Sequence, residues 1–502
     1  MPFEPIFEDI NLTQLKENKK EHVKVECKTD IQSEGISKIL NVSARSVITK
    51  TQTNGINLEY QGKVTFFVCY LSEDGQIEKC ECGSEFKGVL SSENVECCKA
   101  VVISNVEKTE TDISGVRLCV NAFISLDVIL SECKKINALT GGEKLITSKN
   151  EFQCVKGLGQ RESLYSIEEE WTVDHRVEDV LCQRAEAVVT SVQCGVGTII
   201  VDGEVLLSAI LLQSREKRDI IKENKVLPFR AEIECEDAMP NLSATAYVSA
   251  KSFKSDISVD EQGDRSQVNA NVVLSLIGEV YVEESMFIVQ DAFSTEEDVE
   301  LEKEEVCFSK PCDVRSENKE ITLVAVTSSL PAGTSLLATA NEKVEIISYA
   351  TKEDYLEVTG VVFATAFLRD GEGQTFTRKL ESPFTTTINC KCDKDCDYRL
   401  RAWAYKSKAK LVTETQIEIN VCLYFCAYPF EKCAVKLIKN AKSVGKKQPN
   451  EHAISIYIPC EGEDLWTLSK RLNICPEQLV KANQDLQFPL SGKERIVVYR
   501  QK

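Results

Sequence analysis

The chain has 502 residues, enough for three or four domains that each bury a core. Its 79 Asp and Glu outweigh 60 Lys and Arg for a net charge of −19, a field that repels nucleic acid and anionic lipid headgroups and suits a soluble protein with protein partners. No stretch has the length and apolarity of a membrane span, so neither nucleic-acid binding nor a direct membrane span is expected.

The start, Met1 to Asp9, has neither a basic lead nor the apolar run of a secretory signal, so a cytosolic protein is expected. In that compartment disulfides are rare, and the 22 cysteines need another reading. Cys69, Cys119, Cys194 and Cys422 each sit singly in an apolar strand-like run, where a thiol behaves as a small hydrophobe. Cys80, Cys82, Cys97 and Cys98 supply four thiolates, enough for tetrahedral zinc, but their spacing matches no common Cys-x2-Cys pair. Cys390, Cys392 and Cys396 lack an obvious fourth ligand nearby. Reduced thiols are the preferred reading, and no metal or cofactor is expected.

Three long segments then follow that look like copies of one another. Each has a glycine leading into an alternating strand: Gly62 before Val64 and Phe66, Gly203 before Val205 and Leu207, Gly360 before Val362 and Ala364. About two dozen residues later comes an aromatic, Phe86, Phe229 or Phe384. Each copy closes on another alternating run, beginning at Val116, Val268 and Ile417. Strands at this density, with Gly, Asn and Asp between them, predict a mainly β chain of sandwich or barrel-like domains. The glycines are read as bulges or close backbone approaches. Boundaries are expected at 155/156, 308/309 and 440/441, which gives β domains over 1–155, 156–308 and 309–440. The polar, basic run over 441–452 has the composition of a flexible linker.

The last segment, 453–502, reads as a complete small module. Ile454, Ile456 and Ile458 alternate with Ser455 and Tyr457 as in a half-buried strand. Leu465, Leu468 and Leu472 share one helical face, Pro476 suits the first turn of a second helix, and Arg495 to Tyr499 is strand-like again. The module is therefore β-α-α-β. Trp466 is one residue off the leucine stripe and is turned to the helix flank, where it serves the module's core or anchors a partner.

Nothing in the chain has the look of a catalytic site. His22, His175 and His452 fall in different segments, and there is no phosphate-binding loop, His-Glu-x-x-His or Gly-x-Ser-x-Gly. A non-enzymatic binding protein is expected.

The run Tyr457, Gly462-Glu463-Asp464-Leu465-Trp466 and Ala482-Asn483 resembles a LysM domain. Two departures concern its ligand. Glu463-Asp464 stands where that family has Asp-Thr or Asp-Ser, and Leu490-Ser491-Gly492-Lys493 replaces the Pro-Gly-Gln of glycan-binding members. Three β copies followed by this module resemble the sporulation-specific SPOCS family, and within it the clostridial spore-coat morphogenetic proteins that end in LysM. That resemblance implies three tandem β-sandwich-like SPOCS repeats and a mother-cell protein on the forespore surface. It further implies a LysM module that binds a protein partner, the polymerising ATPase of the coat's basement layer. The candidate partner-binding residues are Trp466, Ile454, Tyr457, Ile458, Glu463 and Asp464. In the same setting, exposed cysteines would cross-link the coat under oxidising conditions. The alternative is a peptidoglycan-binding protein of the cortex or cell wall that takes N-acetylglucosamine.

Overall fold

The computed structural model describes residues 4–31, 35–91, 98–214, 217–260, 262–390, 396–448 and 454–499, with side chains at all of these but 13–19, 98 and 133. The chain is mainly β, as its alternating runs predict, and the strands repeat one topology three times. In the first repeat, β1 (Glu4–Asp30) is followed by a meander of β2 (Ile36–Asn54), β3 (Asn57–Ser72) and β4 (Ile77–Ser91). Then β5 (Cys98–Ser114) and β6 (Arg117–Glu143) form a hairpin, and β6 inserts antiparallel between β5 and β1. One apolar cluster draws on both sheets, with Val64, Phe66 and Phe86 from the meander and Val120, Ile124 and Leu126 from β6. This is a two-layer sandwich, the arrangement that buries one face of each sheet.

The second repeat has the same plan. Strand β7 (Ile146–Thr172) leads to the meander β8 (Asp179–Cys194), β9 (Thr198–Ser214) and β10 (Asp219–Glu234), and then to β11 (Ser243–Ser258) and β12 (Gln267–Phe293). In the third, the opening strand is split into β13 (Glu297–Pro311) and β14 (Arg315–Val326). Pro311, with no backbone N–H to offer, ends the first piece. The meander is β15 (Ser335–Thr351), β16 (Tyr355–Arg369) and β17 (Thr375–Asn389), and β18 (Cys396–Thr413) and β19 (Gln416–Lys446) close the repeat.

The anchor glycines have a common structural cause. Gly62 lies directly across from Phe86, Gly203 from Phe229 and Gly360 from Phe384. A Cβ at these glycines would fall 2.3, 2.5 and 2.8 Å from the respective rings, and it would also crowd a carbonyl oxygen of the other neighbouring strand. On that other side each meander slips register, at Ile48/Lys50, Val189/Ser191 and Ile346/Ser348. The glycine thus admits both an aromatic ring and a bulge at one point of the strand.

The expected boundaries require correction. Residues 155/156 fall inside β7, 308/309 inside β13 and 440/441 inside β19. The early part of β7 pairs with the last part of β12, and β13 pairs with the last part of β19. Each repeat therefore ends in a two-stranded ribbon that extends beyond its sandwich. The acidic run from Glu296 to Glu305 and the basic run from Ala441 to Lys446 are the two strands of the third ribbon, with Leu301 opposite Ala441 and Glu300 opposite Lys442. Their polar composition is that of an exposed ribbon tip and not of a linker: residues 442 to 446 are all exposed, and burial begins at Ala441 and Ile438.

The three ribbons pack on one another. Ile10 and Ile136 from the first, Cys154 and Ile288 from the second, and Phe308 and Leu437 from the third share one cluster. A smaller cluster beyond it again takes residues from all three. The meanders also meet three ways: Leu40, Leu181 and Ala338 stand at matching positions before their anchor glycines and share a cluster. Beside it, Lys222 of the second repeat forms a buried ion pair with Glu342 of the third at 2.5 Å. Ser407 also donates to Glu342, at 2.6 Å.

After Gln448 the C-terminal module runs through β20 (Ile454–Tyr457), α1 (Leu465–Leu472), α2 (Pro476–Ala482) and β21 (Ile496–Tyr499). Strands β20 and β21 pair antiparallel. Among the described residues its core, including Leu468, Leu472, Leu479, Leu490 and Ile496, is drawn from the module alone. Among the described residues no helix is long and apolar enough to cross a membrane.

Candidate functional site

The six candidate residues of the module divide into three groups. Glu463 and Asp464 serve the module's own architecture. Gly462 takes the left-handed conformation at φ 80°, which turns the chain out of β20 into α1. Glu463, which follows it, is buried. Its carboxylate accepts a bidentate pair from the Arg471 guanidinium, both at 2.8 Å, and the backbone N–H of Cys460 at 3.0 Å. Burial pushes this carboxyl up, but the Arg471 and Cys460 bonds outweigh it and hold it below the ordinary range. Asp464 is the N-cap of α1 and accepts the Thr467 backbone N–H at 2.7 Å, which lowers its pKa. Both carboxylates are engaged before any ligand arrives.

The second group is on the small sheet. A strand shows alternate residues to opposite faces, so Ile454 and Ile458 cannot share a surface with Tyr457. Tyr457 is half-buried and packs on the module's core, which corrects the expectation of one patch. The outer face instead carries Ile454, Ile456 and Ile458, exposed at 61, 65 and 70%, with Tyr499 opposite Ile454 at 58%. Ile456 is thus a third member of the ridge, beyond the two isoleucines that the sequence singles out. An apolar ridge of this kind is the sort of surface that marks an interaction site.

The third group is Trp466 alone, and it faces the body of the chain. Its Nε1–H donates to Asp291 Oδ2 at 3.0 Å, and its ring meets Phe293 edge-on with centroids 5.3 Å apart. One turn along α1, Lys470 Nζ lies 2.7 and 2.9 Å from the two Asp291 oxygens. Burial raises the Asp291 carboxyl, but hydrogen bonds from Lys470 and Trp466 outweigh it and lower the pKa. Asn473, the left-handed C-cap of α1, donates to the Thr295 carbonyl at 2.8 Å and accepts from Lys447 Nζ at 2.6 Å. Asp291, Phe293, Lys470 and Asn473 were not legible as parts of a site. Trp466 and Asp291 are 175 residues apart, and no local pattern joins them.

The remaining candidates lie elsewhere. Trp403 is buried in the body and Trp171 packs against the same cluster. His22 is 3.0 Å from Glu107, and His452 lies outside the described residues. Cys80 and Cys82 pack against the first repeat's core, and Cys390 and Cys396 are buried in the third. Among the described residues no three His, Cys, Asp or Glu are grouped to hold a metal ion. Cys97, Cys392 and the Cys98 side chain lie outside them. Cys307 and Cys460 are exposed thiols.

Fold and site together define a three-repeat β body that carries a small β-α-α-β module with an outward aliphatic ridge. Compared with protein-family models, curated proteins and solved structures, the chain finds no match.

Proposed function

We propose that this chain is a non-enzymatic scaffold of the spore coat, built of three SPOCS-like repeats and a LysM-like module. In this reading it stands on the forespore surface in the mother cell and binds the polymerising ATPase of the coat's basement layer. The observation that carries the reading is the ridge of Ile454, Ile456, Ile458 and Tyr499. Its three branched aliphatic side chains beside one tyrosine suit the apolar patch of a protein.

The test replaces Ile456 and Ile458 with Asp in the full chain and measures binding to the purified ATPase. Anchor residues at interfaces are each worth about 2 kcal/mol, so each substitution should weaken binding roughly 30-fold with melting unchanged. Undiminished binding by the folded double variant would sink the proposal. Retention of both forms on purified peptidoglycan, with no affinity for the ATPase, would favour the glycan-binding alternative.

A further inference from the structure

The contact between the module and the body has the composition of a reversible interface. Among the described residues it is made by one edge-on ring pair, one carboxylate shared by an indole and an ammonium of the module, one hydrogen bond from Asn473 to the Thr295 carbonyl and one from Lys447 to the Asn473 side chain. The module's apolar core is complete without the body. Small polar interfaces between domains of this type allow relative motion as the default. The contact is nonetheless specific. Asp291 lies just past a register slip at Val289/Asp291, a kind of irregularity that re-aims side chains. It receives Trp466 and Lys470 from consecutive turns of α1 on one carboxylate. Phe293 then supplies the ring wall.

We propose that Asp291 and Phe293 form an autoinhibitory socket for Trp466, so that the module engages a protein partner through this tryptophan only when the body releases it. The inference rests on reading the module as protein-binding. Trp466 combines a large apolar face with an N–H donor, the chemistry that makes indole a frequent interface anchor. Here the donor is taken inside the chain by Asp291, and the ring is held in edge contact with Phe293. A partner that uses Trp466 must displace these two residues, and the free energy of the socket is subtracted from its affinity. The ridge stays open in the closed state, so a partner can make first contact there before the tryptophan is freed.

The experiment has two independent arms, both on the full chain. In the first, a carbodiimide, which joins a carboxylate to an amine without a spacer, is applied to the native protein and the products are mapped by mass spectrometry. A Lys470–Asp291 link is expected in the native chain, and its absence would overturn the socket whatever the partner. In the second, Asp291→Ala and the native chain are compared for binding to the ATPase. Release of the socket should tighten binding on the order of tenfold, and Phe293→Leu, which keeps an apolar side chain, should act in the same direction. Equal or weaker binding by Asp291→Ala would overturn the autoinhibition. If neither form binds, the functional reading fails and the autoinhibition with it, while the cross-link still decides the closed geometry.

Discussion

At the scale of single residues, the anchor glycines and Glu463 show how one position can serve two neighbours. At Gly203 a Cβ would lie 2.3 Å from the Val188 carbonyl oxygen and 2.5 Å from the Phe229 ring. Neither can retreat freely, since one is backbone and the other fills the core. Gly203→Ala should therefore cost about 1–3 kcal/mol, read as a lower midpoint of urea unfolding at constant slope; an unchanged midpoint would contradict the crowding. Glu463 ties the turn before α1 to the side chain of Arg471. Glu463→Ala leaves the guanidinium without its bidentate partner and should destabilise the module by roughly 2 kcal/mol, seen as faster hydrogen exchange over α1. Because its folded pKa is lowered, this contribution is present above the ordinary glutamate value of about 4.3 and is lost as the pH falls below it.

At the scale of elements, strands and helices were readable because burial on one face imposes a period on the sequence, about 2.0 for β3 and about 3.6 for α1. Leu468 and Leu472 are core as their spacing predicts. Which face of β20 is buried was not readable. Alternation assigns two faces without saying which is inward, and here Tyr457 goes in while the isoleucines stay out. The ribbons were misread for a related reason. Their outward residues are charged, and Lys442 opposite Glu300 looks like linker composition until the partner strand is known. The Lys222–Glu342 pair was equally hidden, because it joins elements 120 residues apart. Burial alone would raise the Glu342 carboxyl; Lys222, with hydrogen bonds from Ser407 and Thr339, overcomes it and brings the pKa to about 2. The stability this supplies is complete above pH of about 4.3 and declines as the pH drops towards 2. Lys222→Met, which strands the buried carboxylate, should cost about 3–5 kcal/mol and shift the acid unfolding midpoint upward. A variant that unfolds at the native pH would show that the pair contributes little.

At the scale of the whole molecule, the apolar clusters decide how it melts. The ribbon clusters and the meander cluster take residues from all three repeats, so no repeat keeps its full core when another unfolds. Calorimetry should show one cooperative transition for the body and a separate, smaller one for the module, whose core is its own. Two or three separate body transitions would refute the shared core. The repeat number was legible from the three glycines, while the mutual packing of the copies was not, since a sequence repeat is silent about what its outer faces touch.

The lacing of the ribbon tips has a practical result. Glu4 opposes Glu143; the next residue, Lys144, pairs with Glu296 at 2.7 Å, and the Glu296 carbonyl accepts the Lys447 amide at 2.9 Å. The first and last strands of the body therefore leave from one pole, beside the attached module. Reporters fused before residue 4 or beyond residue 499 would sample the same neighbourhood, and a pair of fluorophores placed there would transfer energy efficiently within a single copy.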